Sequence, residues 1–152
     1  VTAGLWVAIA AVVVAVGFGL YRRYADGRFR APAPVLEEGR SPVSKPRGPT
    51  ADLWSDVLAA VPTAELGDRA TLLQFSSAFC APCRATRRTL ADVADLVPGV
   101  VHVEVDAEHH LDLVRQLGIL RTPTTLILDA DGGEVTRAAG APRKDQVLSA
   151  LP

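Results

Sequence analysis

Residues 1–21 contain no charged side chain, and the stretch LWVAIAAVVVAVGFGL within them is apolar on every face. A helix with no polar stripe has no side to turn to water, and about 20 apolar residues are what the hydrocarbon thickness of a bilayer requires. The segment is therefore read as a membrane-spanning anchor over residues 1–21, which leaves the rest of the chain to build whatever soluble fold there is. Trp6 near one end and Tyr21 and Tyr24 near the other suit the aromatic belts of a membrane interface. A cleaved signal peptide carries its positive charge ahead of the apolar run, whereas here Arg22, Arg23, Arg28 and Arg30 follow it. By the positive-inside rule the same arginines place the remainder of the chain on the cytoplasmic face, with an extracytoplasmic domain as the alternative.

Residues 31–50, APAPVLEEGRSPVSKPRGPT, hold five prolines and few large apolar side chains, too little to bury on folding. Together with the arginines before them they make a basic linker over residues 22–50, with seven Lys/Arg against three Asp/Glu. Residues 51–152 carry nine against fourteen. An acidic domain of that size has no electrostatic reason to bind nucleic acid, which is excluded as a partner.

Within residues 51–152 the apolar pattern alternates between helix and strand periods. Leu53, Trp54, Val57 and Leu58 have helical spacing, residues 71–75 read as a buried strand, and residues 82–97 as a helix with Leu90, Val93 and Val97 on one stripe. A strand over 100–105, a short helix over 111–117 and a strand over 124–128 follow. The turn Asp131-Gly132-Gly133 leads into a hairpin partner at 134–137, and a helix over 143–151 closes the chain. This order predicts an α/β domain with a mixed sheet and helices on both faces.

Both cysteines of the chain lie in Phe79-Cys80-Ala81-Pro82-Cys83-Arg84, where a strand ends and a helix begins. Unpaired N–H groups at a helix start favour an anion, so a thiolate at Cys80 is stabilised and becomes a nucleophile, with Cys83 one turn on as the resolving thiol. Pro82 fits the first turn, where its missing N–H costs nothing. Zinc requires four ligands, and His102, His109 and His110 lack the usual spacing, so no metal is expected. Haem attachment requires His where Arg84 stands. A purely structural disulfide would close too short a loop to constrain the unfolded chain.

The strand, FCAPC motif, helix, strand, VDAEHH, GILRTPTTL and late DG hairpin, in that order over residues 51–152, resemble the thioredoxin family. The resemblance implies a thioredoxin-like fold and a thiol–disulfide oxidoreductase, more akin to reducing members, that needs no bound cofactor. It implies protein or small-molecule disulfides as substrates and a thiol system as electron donor. It further implies that Pro123 is cis beside the cysteines, that the backbone of Thr122 pairs with an extended substrate segment, that Phe79 supplies an apolar lid, and that Gly140 lets substrate approach. A turn proline and a loop glycine are the plainer readings of Pro123 and Gly140.

The chain departs from the family at the proton chemistry. Gln74 stands where a buried Asp serves the resolving cysteine, and it cannot titrate. His102 stands where a Lys accompanies that Asp. Alternation with Val101, Val103 and Val105 by itself makes His102 an ordinary strand residue. If it faces the pocket, its imidazole is better matched to a thiol than an amide is, giving a possible relay through His102 and Gln74. The non-enzymatic alternative is a thioredoxin-fold docking module at the membrane.

Overall fold

The computed structural model describes residues 3–30 and 51–152; the Pro-rich stretch 31–50 lies outside the described residues. Helix α1 (Ala3–Ala25) is followed by a two-residue strand β1 (Phe29–Arg30) and helix α2 (Ala51–Ala60). Then come β2 (Ala70–Ser76), α3 (Ala81–Leu96), β3 (Val100–Asp106), α4 (Leu111–Gln116), β4 (Thr124–Leu128), β5 (Glu134–Ala139) and α5 (Lys144–Ala150). The strands form one sheet in the order β1-β5-β4-β2-β3. β2 runs parallel to β3 and antiparallel to β4, and the β4–β5 hairpin is antiparallel, so the sheet is mixed as the alternation of elements implies.

Strand β2 explains why the domain has two cores. It is flanked by strands on both edges and covered on both faces, and all seven of its residues are buried. Leu73 and Phe75 point into a cluster with Val103, Val105, Leu126, Leu128, Val57 of α2 and Leu113 of α4. Leu72 points the other way, into a cluster with Val100, Ile127, Leu90 and Val93 of α3 and Val147 of α5. Helices therefore cover both faces. Each large side chain fully removed from water adds about 1.5–3 kcal/mol of hydrophobic stabilisation, so these two clusters fix the strand register against a one-residue slip.

The same alternation sets up the chemistry. On the α3 face of β2 and β3, the residues that follow Leu72 and Val100 are polar: Gln74, Ser76, His102 and Glu104, with Gln74 paired to Glu104 and Leu72 to His102 in the ladder. The sheet thus turns a polar strip toward the beginning of α3, where the cysteines are.

One boundary differs from the sequence expectation. Residues 22–50 read as a linker, yet Phe29 and Arg30 pair antiparallel with Ala138 and Arg137 of β5, and Phe29 packs on the core beneath α3 and α5. The unpaired outer edge of β5 supplies the driving force, since an exposed row of N–H and C=O groups takes up a partner strand, and Phe29 brings an apolar side chain to bury. Helix α1 also continues to Ala25, four residues beyond the expected anchor.

Candidate active site

Strand β2 delivers the chain to a short loop, and Cys80 ends it as the residue that caps α3. Its backbone is extended (φ −97°, ψ 99°), and its Sγ accepts a hydrogen bond from the Cys83 N–H at 3.1 Å. Pro82 occupies the first turn of the helix, as its missing N–H allows. The two cysteines are joined in a disulfide. Cys80 is half-buried and Cys83 fully buried, so only one of the two sulfurs is open to a partner. Once the bond is reduced, the same N–H and the aligned peptide dipoles of a 16-residue helix favour negative charge on Cys80.

Behind Cys83 lies the polar strip. Gln74 is fully buried; its Nε2 donates to the Cys83 carbonyl at 3.0 Å, and its Oε1 lies 3.1 Å from His102 Nε2. With the amide nitrogen committed as donor, Oε1 is the acceptor, and the His102 Nε2 carries the proton. The structure therefore brings Gln74 and His102 together beside Cys83, while the strand alternation also holds, with Val101, Val103 and Val105 turned to the other core. Gln74 grips the backbone of Cys83 and not its sulfur. Burial pushes the His102 pKa down; the charge of Glu104 opposes this and that of Arg87 adds to it, and the net is lowered, which keeps the ring neutral near pH 7.

Glu104 is a residue that sequence reasoning missed. It accepts hydrogen bonds from Ser76 Oγ at 2.6 Å and Arg87 at 2.7 Å, and it shares a cleft of about 340 Å³ with Ser76, Cys83, Arg84, Arg87 and Asp106. Its position two residues beyond His102 on one strand was the available signal. Burial raises the Glu104 pKa, but the hydrogen bonds from Arg87 and Ser76 and the Arg87 charge outweigh it and hold the carboxyl below its ordinary value. Glu104 thus contributes stability that is present above the unfolded carboxyl's pKa and lost as pH falls through the depressed value. Arg87→Ala is expected to remove most of that dependence, so that thermal melts of variant and wild type converge toward acid pH; a constant difference between them down to acid pH would contradict it.

A second cleft, of about 230 Å³, is lined by Pro82, Thr122, Pro123 and Gly140, with Arg22, Asp26 and Arg121 completing its wall. The Thr122–Pro123 peptide bond is cis, Ser77 Oγ lies 3.2 Å from Thr122 Oγ1, and the Gly140 N–H donates to the Pro123 carbonyl at 2.8 Å. The predicted Thr122, Pro123 and Gly140 are thus gathered at one place beside the cysteines. Phe79 is not part of that wall and stands 98% exposed. Loop geometry explains this, because Phe79 stands at the outer tip of the turn between β2 and α3.

A family model described as a thioredoxin-like domain matches residues 59–152, more than half of the chain. Among curated proteins the chain is 27% identical over 93 residues to a Thioredoxin H-type of Oryza sativa subsp. indica, covering 61% of this chain and 75% of that one. It is 31% identical over 80 residues to a thioredoxin of Chlamydia trachomatis, covering 53% of this chain and 78% of that one. Of other relatives it spans less, such as 45% of Thioredoxin-2 of Pyricularia oryzae. Among solved structures it superimposes on chloroplastic thioredoxin z with a TM-score of 0.51 at 26% identity, over 63% of this chain and 83% of that one. With thioredoxin f from spinach chloroplast the TM-score is 0.50 at 28% identity, over 64% of this chain and 80% of that one. The chain belongs to the thioredoxin family, and with its Cys80–Cys83 pair the domain is a thiol–disulfide oxidoreductase whose partners are disulfide substrates and a thiol reductant.

Proposed function

We propose that the chain is a membrane-anchored protein-disulfide reductase in which Cys80 attacks and Cys83 resolves. The observation that carries the division of roles is the difference in access: Cys80 caps the helix with its sulfur facing a donated N–H, and Cys83 is sealed behind it. In the reduced protein the Cys80 thiolate attacks one sulfur of a substrate disulfide, forming a mixed disulfide and releasing one substrate thiolate, which takes up a proton. Cys83 then gives up its proton and attacks Cys80 Sγ, releasing the second substrate thiol and leaving the Cys80–Cys83 disulfide. Two electrons from a donor dithiol restore the reduced pair.

The substrate segment binds along the cleft at Thr122, Pro123 and Gly140, with Phe79 meeting it from the loop. The N–H and C=O of Thr122 have no partner among the described residues, which suits pairing with an extended segment in the manner of an added strand. His102 donates from Nε2 to Gln74 and through it steadies the Cys83 backbone, which leaves Nδ1 as the basic nitrogen of the ring. His102→Ala is expected to slow release of the mixed disulfide by roughly tenfold and to flatten its dependence over pH 6–8. Unchanged rates across that range end the relay.

The anchor is α1. Its segment Gly4–Arg22 has a mean hydropathy of 2.2 and none of it is buried against the domain, which supports a helix whose apolar surface meets lipid. The positive-inside rule, applied to the arginines that follow, favours the cytoplasmic side for the domain. Turnover of insulin disulfides by the full chain with a dithiol donor tests the reductase. Protease treatment of sealed inverted vesicles tests the side: the domain is expected to be digested, and a protected domain would reverse the assignment.

A further inference from the structure

The connection between the apolar helix and the redox domain is short and fixed. Three residues, Asp26 to Arg28, separate the end of α1 at Ala25 from the start of β1 at Phe29. At no more than about 3.6 Å per residue, the sheet edge lies within about 15 Å of the helix end. These residues are also held in place. The Gly27 N–H donates to the Ala139 carbonyl at 3.0 Å, Arg121 donates to the Asp26 carboxylate at 2.7 Å, and Phe29 pairs with Ala138.

The contact is made at the redox cleft itself. The Asp26 carboxylate rests directly on Gly140, where a Cβ would come within 2.3 Å of its oxygen, and Gly140 has the left-handed φ of 101°. Gly27, at φ 71°, lies so close to Ala141 that a Cβ there would stand 2.4 Å from its carbonyl oxygen. Arg22, in the last turns of α1, lines the same cleft as Pro82, Thr122, Pro123 and Gly140. Arg22 and Asp26 therefore form part of the wall of the groove proposed to take the substrate. Leu120, 96% exposed, shares a neighbouring cleft with Ser77 and Thr122 and leaves an apolar contact open beside the same groove.

We propose that the chain holds its redox cleft against the membrane surface, and that its substrates are disulfides in the segments of membrane proteins that lie next to the bilayer on the same side. This rests on the reading of α1 as a membrane anchor. A spanning helix that ends in the wall of the cleft fixes the cleft at headgroup level, so a disulfide a few residues from its own membrane span meets Cys80 at a high local concentration. One displaced by a long flexible segment does not.

The test places the pre-reduced full chain in phosphatidylcholine nanodiscs with one of two single-span peptides. The peptides carry the same disulfide loop either four residues from the membrane span or some thirty residues away on a Gly/Ser segment. Single-turnover reduction of the near loop is expected to be roughly tenfold faster, by the fall of effective concentration with tether length. Inserting about 20 Gly/Ser residues between Ala25 and Asp26 is expected to bring the ratio close to one, by the same tether-length dependence. Equal rates with the unaltered chain, or a ratio that survives the insertion, overturn the inference. Flotation with liposomes separates the two levels: a chain that fails to float overturns the anchor and the inference with it, whereas one that floats but reduces both loops alike overturns the inference alone.

Discussion

Replacing Cys80 by serine is expected to abolish disulfide reduction, with a loss of about a thousandfold or more, because the nucleophile and the thiolate stabilised at the helix start are removed together. Cys83→Ser is expected to behave differently. Cys80 can still attack, so one substrate thiol is released in a single turnover, but the mixed disulfide has no internal thiol to resolve it and accumulates. The asymmetry follows from the half-exposed Cys80 and the fully buried Cys83. Intact-mass analysis after mixing each reduced variant with a disulfide peptide reads it directly: a stable adduct with Cys83→Ser and none with Cys80→Ser. An adduct on Cys83 in the Cys80→Ser variant, formed as fast as that on Cys80, would reverse the roles.

Gln74→Asp is the second large effect. Gln74 is fully buried and uses both ends of its amide, on the Cys83 carbonyl and on His102. An aspartate there is shorter and loses the amide donor. A carboxyl at so buried a position has its pKa raised by roughly 3 units, which is worth about 4 kcal/mol. The sign follows from linkage: below the unfolded pKa both states are protonated and the variant is least penalised, and its stability falls as pH rises from the unfolded toward the raised folded value. Urea denaturation should find the variant far weaker relative to wild type at pH 8 than at pH 4. Above the raised pKa the carboxylate is a base beside Cys83, and resolution of a mixed disulfide should quicken. A stability difference independent of pH would show that water reaches this position.

Much of the domain was legible because its core elements obey strict periods. Strand 71–75 reads as a buried strand through Leu72, Leu73 and Phe75, and the stripe of Leu90, Val93 and Val97 marks the face of α3 that meets the sheet. The cysteine pair was legible from spacing, and the grouping of Thr122, Pro123 and Gly140 beside it came from resemblance and not from any local pattern. Glu104 was not legible, since a charged residue alternating on an edge strand looks like an ordinary solvated position. Its meaning depends on Arg87, 17 residues earlier on α3, and on Ser76 across the ladder. Strand β1 was hidden for a related reason: two residues carry no period, and pairing with β5 joins Phe29 to a residue more than a hundred positions away. The Asp26–Arg121 pair, 95 residues apart, is a further long-range contact of this kind.

The most direct test of the account is a redox titration of the full chain against reduced and oxidised glutathione, with free thiols trapped and counted by intact mass. One two-electron transition is expected between the Cys80–Cys83 dithiol and its internal disulfide, with no lasting glutathione adduct, because Cys83 resolves whatever forms on Cys80. A pair that stays in one state across the whole range, or that titrates as two independent thiols each carrying glutathione, would contradict it.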